Sequence, residues 1–359
     1  MAYQLGIPHG AFHTVTAPEH CAWPNLTLLP NGEIGAVIHN QPSHGGVEAD
    51  VELWISGDAG DTWKLRSQVT NHEPGTTRMN VAAGLNQQGE LVVLCSAWNL
   101  HHFNRKTVPE DVLEAVVCIS SDDGHTWEQA SVLEPPPGTV GFTPFGDVNS
   151  NGDELVVGGY TRDYQDGEMV ATSAHMYHSL DGGRTWEYVS TIAAGDHNEV
   201  DLLVREPGPW LASVRIGDRA RPRKDRRNNQ PYIVLHTSED EGRSWQEQSK
   251  VTHGNQHTSH LLQLADDRIL LTYGSRMDEL IGVIGRVSED GGESWSQAFV
   301  LVSGLLNRDC GYPSDVQLEN GDIVTAYYSK SSPWYQRYHM GVLRWNLEMV
   351  NPKMGPIWG

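Results

Sequence analysis

The chain has 359 residues, 38% of them hydrophobic, and carries 46 acidic against 25 basic side chains for a formal net charge of −21. That length exceeds one ordinary globular core, so the chain holds either several domains or one large repeat architecture. The negative charge opposes nucleic acid and anionic membrane surfaces as partners, and no apolar run nears the roughly 18 residues that a membrane span requires.

Met1 to Gly10 has neither a basic start nor an apolar stretch, from which a cytoplasmic location is expected. Cys21, Cys95, Cys118 and Cys310 are scattered without a Cys-x-x-Cys pair. They read as buried free thiols, and neither a metal nor a cofactor is expected.

The predicted elements begin with a segment around Ala11 to Thr16, and then a hairpin from Asn25 to Ile38 turning at Asn31-Gly32. A third strand leads into the turn Ser56-Gly57-Asp58-Ala59-Gly60-Asp61-Thr62-Trp63, followed by a fourth strand. The same succession recurs. Val81 to Leu94 leads to Ser120–Trp127, Val148 to Gly159 to Ser179–Trp186, Val200 to Ile216 to Ser238–Trp245, and Leu261 to Tyr273 to Ser288–Trp295. A sixth hairpin, Val316 to Tyr327, ends in Met340 to Asn346 without the turn motif. The motif aspartates lie 64, 59, 59 and 50 residues apart, which suits four-stranded units with variable loops. In each turn the Asp accepts backbone N–H groups, the Gly takes angles closed to other residues, and the Trp packs the hairpin down. These aspartates are structural.

Six hairpins predict an all-β, six-bladed β-propeller of antiparallel four-stranded blades in a single domain. The blades run approximately 18–70, 71–135, 136–192, 193–252, 253–303 and 304–350, and the N-terminal segment is the candidate to complete the last. In such a blade the start of the first strand, the end of the second and the start of the third share one end. The motif turns lie at the other. A site at the channel mouth then draws on Ala22 to Asn25, His39, Asn40 and Asp50, on Arg78, Asn80 and Trp98, and on Asp147, Arg162 and Asp163. The remaining blades offer His197, Glu199 and Arg215; His257, His260 and Arg276; and Tyr312, Asp315 and Tyr328. The basic run from Arg219 to Arg227 reads as a solvated loop.

With five such turns, Glu199 and Arg215 spaced 16 apart across one hairpin, and the segment Cys310-Gly311-Tyr312-Pro313-Ser314-Asp315, the chain resembles the sialidase (neuraminidase) superfamily of BNR/Asp-box propellers from about Pro18 to Asn346. The resemblance implies a retaining exo-glycosidase acting on a terminal acidic sugar, with Tyr312 as nucleophile and Glu199 as its base. It implies an acid/base carboxylate after the first inner hairpin, for which Asp50 is preferred over Glu48 and His44. It also implies three arginines for the substrate carboxylate. Arg215 matches the second, and Arg276 is preferred over Arg286 as the third. Where the first is expected, the chain has Cys21-Ala22-Trp23-Pro24, so Arg78 or Arg162 would have to substitute. Trp98 and His257 are further substrate-binding candidates on the same face. The alternatives are a propeller with other glycan chemistry (uronide hydrolase, rhamnosidase-like or lyase, drawing on His197, His257 and His260) and a non-catalytic glycan-binding propeller.

Overall fold

The computed structural model describes residues 6–100, 108–217 and 230–350, so Arg219 to Arg227 lie outside the described residues. The chain opens with β1 (Phe12–Thr16) and then builds blade one from β2 (Asn25–Leu28), β3 (Ile34–His39), β4 (Val51–Ser56) and β5 (Lys64–Gln68). Blade two holds β6 (Thr76–Leu85), β7 (Leu91–Asn99), β8 (Val112–Ser120) and β9 (Glu128–Leu133). Blade three holds β10 (Val140–Asn151), β11 (Glu154–Gln165), β12 (Glu168–Ser179) and β13 (Glu187–Ala193). Blade four follows with β14 (His197–Leu203), β15 (Trp210–Ile216), β16 (Tyr232–Ser238) and β17 (Gln246–Lys250). Blade five has β18 (Gln256–Gln263), β19 (Ile269–Met277), β20 (Leu280–Ser288) and β21 (Phe299–Ser303). Blade six has β22 (Cys310–Gln317), β23 (Ile323–Ser329) and β24 (His339–Trp345), and β1 pairs antiparallel with β24 as its fourth strand.

The protein is a six-bladed β-propeller. The first strand of each blade neighbours the first strands on both sides, and β2 meets β22 as well as β6, so the ring closes. Between β6 and β10 the neighbours are hydrogen-bonded in parallel at Ala82–Gly146 and Ala83–Asp147, which joins blades two and three into one eight-stranded sheet.

Strand periodicity explains the packing. Along β7, Leu91, Val93 and Cys95 face blade one, where they meet Leu53 and Ile55, while Val92 and Leu94 face Leu155 and Val157 of blade three. Middle strands are therefore apolar at successive positions, because both faces are covered. The same layer recurs between every pair of adjacent blades, with Met176 and Trp210 between blades three and four, Leu235 and Leu271 between four and five, Val283 and Tyr327 between five and six, and Val324 and Ile34 between six and one. A seventh cluster stands apart from these layers. It gathers Trp23, Met79, Trp98, Phe145, Tyr312, Tyr328 and Tyr338 at the channel mouth.

The five motif turns share one hydrogen-bond pattern. The Ser hydroxyl donates to the Asp carboxylate at 2.8 Å in all five, and the Thr or Ser N–H four residues beyond the Asp donates to the same oxygen. Each turn glycine also lies against the preceding blade: Gly60 on Val324, Gly124 on Leu53, Gly183 on Val92, Gly242 on Met176 and Gly292 on Leu211. The motif is thus a clasp between blades as well as a turn. At Gly183, φ is +93° and an added Cβ would lie 2.9 Å from both methyls of Val92, whereas at Gly321 φ is +87° with nothing within 4 Å. Gly183→Ala should therefore cost roughly 2–4 kcal/mol, from the backbone conformation plus overpacking, and Gly321→Ala only about 1 kcal/mol. Thermal unfolding of the two variants checks this, and equal shifts would contradict the clasp.

Candidate active site

The first strands do not run straight into the mouth. Register breaks fall between Met79 and Val81, Phe145 and Asn149, His197 and Val200, Gln256 and Ser259, and Gly311 and Ser314, with a second in blade three between Val140 and Thr143, so each of blades two to six has at least one. A bulge bends its strand and re-aims the side chains at the break. In β22 it sets Tyr312 at φ +53° directly after Gly311 at φ +99°. A Cβ on Gly311 would stand 2.9 Å from the Gly274 Cα, so only glycine allows blades five and six to approach so closely there. A tyrosine in left-handed backbone costs energy, and the surrounding packing has to hold it.

Tyr312, Glu199 and Arg215 meet in the mouth and are only 5%, 4% and 8% exposed. The Tyr312 hydroxyl donates to Glu199 Oε1 at 2.6 Å. Arg215 Nη1 donates to Glu199 Oε2 and also reaches the Tyr312 oxygen at 3.3 Å. Burial pushes the Tyr312 phenol well above its usual value, and the adjacent Glu199 carboxylate adds to the shift. Arg215 keeps its charge against burial because Glu199 and Tyr312 lie beside it. A phenol held in this way is neutral, and Glu199 is placed to accept its proton.

Around the phenol stand aromatic rings and a second guanidinium. Tyr328, Trp23 and Phe145 lie 5.6, 5.9 and 5.9 Å from the Tyr312 ring, and Arg276 Cζ lies 5.6 Å over it. Arg276 is anchored by the Cys310 carbonyl at 3.0 Å and by the Tyr328 hydroxyl at 3.3 Å. Arg162 lies over Trp98 of the mouth cluster at 4.2 Å, with Nη1 donating to Thr143 and Nη2 to Tyr160, whose hydroxyl acts electrostatically on Arg215. Tyr312, Glu199, Arg215, Arg276, Arg162 and Trp98 are thus gathered at one place. His257 lies buried in the β18 bulge.

Two expected residues are elsewhere. Arg78 turns to the Glu114 carbonyl and Glu73, on the outer side of its hairpin. Asp50 accepts from Thr70 Oγ1 at 2.9 Å, Gln68 Nε2 at 3.1 Å and His72 Nδ1 at 2.7 Å, so it fastens the chain leaving β5 rather than facing Tyr312. Its competitor Glu48 accepts from the Gly75 N–H. The third competitor, His44, does reach the mouth: its ring lies 5.2 Å from Trp23 and 5.9 Å from both Tyr328 and Tyr338, and Nε2 meets Asp309 at 2.9 Å. Asp309 also accepts from the Tyr328 hydroxyl at 2.6 Å and from that of Tyr338. Sequence reasoning missed Asp309 and Tyr338. Both immediately precede strands at the mouth end, β22 and β24, so the strand-end rule carried one residue further would have found them.

His260 and Asp315 sit deeper, on the axis. His260 Nε2 meets Asp147 at 3.1 Å and Nδ1 meets Asp315 at 3.2 Å, while the Thr272 and Thr325 hydroxyls donate to Asp315. Asp201 accepts the N–H groups of Leu261 and Asp147, and Asn25 Nδ2 donates to Asp147 at 3.0 Å. Five of the six innermost strands therefore share one polar knot. Burial alone would strip the His260 proton, but Asp147, Asp201 and Asp315 overcome it and hold the imidazolium well above the usual histidine range. Burial likewise raises Asp201. Asp147, Asp201 and His260 have the donor types of a metal site, as do His197, His236 and Glu247 on blade four; a cation on the axis would compete with the His260 proton. His197 Nδ1 turns back to the Gly195 carbonyl at 2.6 Å.

The BNR repeat-like domain family matches residues 41–325 of the chain. Among solved structures, a Dyadobacter fermentans protein of unknown function superposes with a TM-score of 0.74 at 21% identity, covering 93% of this chain and 99% of that one. A Trypanosoma rangeli sialidase in complex with sialic acid gives 0.70 at 14% identity, over 94% of this chain and only 59% of the sialidase. A Penicillium chrysogenum α-L-arabinanase complexed with arabinobiose gives 0.61 at 14% identity, over 95% and 100%. At such identities the likeness is one of fold. No curated protein matches the chain by sequence.

The axial knot has a signature in pH. A histidine whose folded-state pKa is raised contributes stability that is present below its unfolded value, about 6.5, and is lost as pH rises through the folded value. Asp201, raised too, acts with the same sign. The unfolding midpoint should fall from pH 6 to pH 9, and His260→Gln should be less stable at pH 6 with a shallower fall. Parallel pH profiles for the two proteins would contradict this assignment.

Proposed function

The chain belongs to the BNR repeat-like domain family, and from that premise and the Tyr312–Glu199 hydrogen bond we propose that it is a retaining glycoside hydrolase removing a terminal acidic sugar. The observation that carries the reading is the 2.6 Å contact of the Tyr312 hydroxyl with Glu199, bridged by Arg215. A sugar acid with its carboxylate on the anomeric carbon repels an anionic nucleophile, and a buried, neutral phenol avoids that repulsion. As the phenol oxygen bonds to the anomeric carbon, Glu199 takes its proton, and Arg215 offsets the charge moving between them.

Arg276 lies over the Tyr312 ring and Arg162 over Trp98 of the same mouth cluster, and guanidinium groups suit a carboxylate ligand. Ala22, with Trp23 beside it in the mouth cluster, stands where the resemblance implies an arginine, which favours a sugar acid other than sialic acid, held with more aromatic stacking and fewer ion pairs. The histidine-based alternatives have less support, because His197 and His260 are engaged with the Gly195 carbonyl and the axial carboxylates.

A panel of aryl glycosides of sialic acid, other keto-sugar acids and uronic acids tests the reading. On the best substrate, Tyr312→Phe and Glu199→Gln should each lower kcat by roughly 10²–10⁴-fold. Wild-type rates in Tyr312→Phe would overturn the nucleophile.

A further inference from the structure

With Asp50 drawn away, the leaving group still needs a proton, since an alkoxide departs poorly. The geometry points to His44 as the general acid/base of this site, with Asp309 as its positioning residue. This assignment rests on the glycosidase reading above.

His44 lies on the connection between β3 and β4, and its side chain is 33% exposed. It packs on the same two rings as the nucleophile: Trp23 and Tyr328 lie 5.2 and 5.9 Å from His44, and 5.9 and 5.6 Å from Tyr312. The imidazole and the phenol therefore stand beside the same two rings, of which Tyr328 is wholly buried and Trp23 is 7% exposed, and a sugar ring resting against Trp23 would have its anomeric carbon towards Tyr312 and its aglycone towards His44. Asp309 is a carboxylate and only accepts, so Nε2 of His44 carries a hydrogen and Asp309 fixes the tautomer. Nδ1 has no partner among the described residues and is the nitrogen left to handle a proton. Burial works against the Asp309 charge, but the bonds from His44, Tyr328 and Tyr338 hold the carboxyl far below its usual range. It remains an anion able to orient the ring.

The proton traffic balances. In the first step the Tyr312 oxygen bonds to the anomeric carbon, the bond from that carbon to the aglycone oxygen breaks, Glu199 receives the phenol proton, and His44 Nδ1–H protonates the departing oxygen. In the second step neutral His44 takes a proton from water, whose oxygen bonds to the anomeric carbon. The bond to Tyr312 then breaks, and Glu199 returns the proton to the phenolate. Both groups end as they began.

Leaving-group dependence separates this role from a structural one. For the acidic sugar that wild type turns over fastest in the panel, the 4-nitrophenyl and methyl glycosides are compared in wild type, His44→Gln and Tyr312→Phe. The 4-nitrophenolate leaves without protonation, so His44→Gln should lose at least about 10²-fold in kcat/KM on the methyl glycoside and less than about 10-fold on the aryl one. Tyr312→Phe should lose both. Asp309→Asn should repeat the His44 pattern with a smaller loss, and unfolding midpoints confirm that each variant is folded. Equal losses on both glycosides in folded His44→Gln would overturn the acid/base assignment while leaving the nucleophile standing. Full activity in Tyr312→Phe, or no turnover of any panel member by wild type, would overturn both.

Discussion

The His260 imidazolium is the constraint on which the geometry of the mouth depends. It lies on the propeller axis between Asp147 and Asp315, with Asp201 and Asn25 completing the knot. Four of its members lie two or three residues along the chain from a residue at the mouth: Asn25 from Trp23, Asp147 from Phe145, Asp201 from Glu199, Asp315 from Tyr312. Fixing the knot therefore fixes the height of the bulges above it. The buried charges are costly, and a cluster of carboxylates this close is tolerable because one imidazolium bonds to two of them and backbone N–H groups and hydroxyls satisfy most of the rest. The knot thus adds polar ties between inner strands of five blades to the apolar interblade layers.

That division of labour separates the two ends of the molecule. At one end the Asp-motif turns clasp each of blades one to five to the blade before it, using glycines that lie directly on neighbouring aliphatic side chains. At the other the strands are bulged, Tyr312 sits in left-handed backbone, and large aromatic rings replace aliphatic packing. Strain collects where the chemistry is proposed and is supported by regular structure elsewhere.

The architecture was legible because its determinants are local. An eight-residue turn and a period-two strand pattern can be read without knowing what lies opposite. The same regularity gave the mouth residues, since strand ends fall on one face, and Glu199, Arg215, Arg276 and Tyr312 do lie together there. The rule failed for Asp50 and Arg78 because it specifies an end of the blade and not the side of the strand, and both turn outwards to partners on the outer part of the blade. His44 sits on the loop between β3 and β4, and a loop side chain has no periodicity to aim it. The axial knot was legible only in part: the strand-end rule picked out Asn25, Asp147, His260 and Asp315 one by one but not Asp201, and nothing in the sequence shows that residues from five blades, up to 290 positions apart from Asn25 to Asp315, bond to one another.

The central claim is that Tyr312 forms a bond to the sugar. A fluorinated, activated glycoside of the preferred sugar acid slows breakdown of such an intermediate, and peptide mass analysis of the inactivated protein locates the adduct. A retaining tyrosine mechanism predicts one sugar on the peptide containing Tyr312, and none on that peptide in Tyr312→Phe. A sugar ester on Glu199 or on another carboxylate, with Tyr312 unmodified, would contradict it.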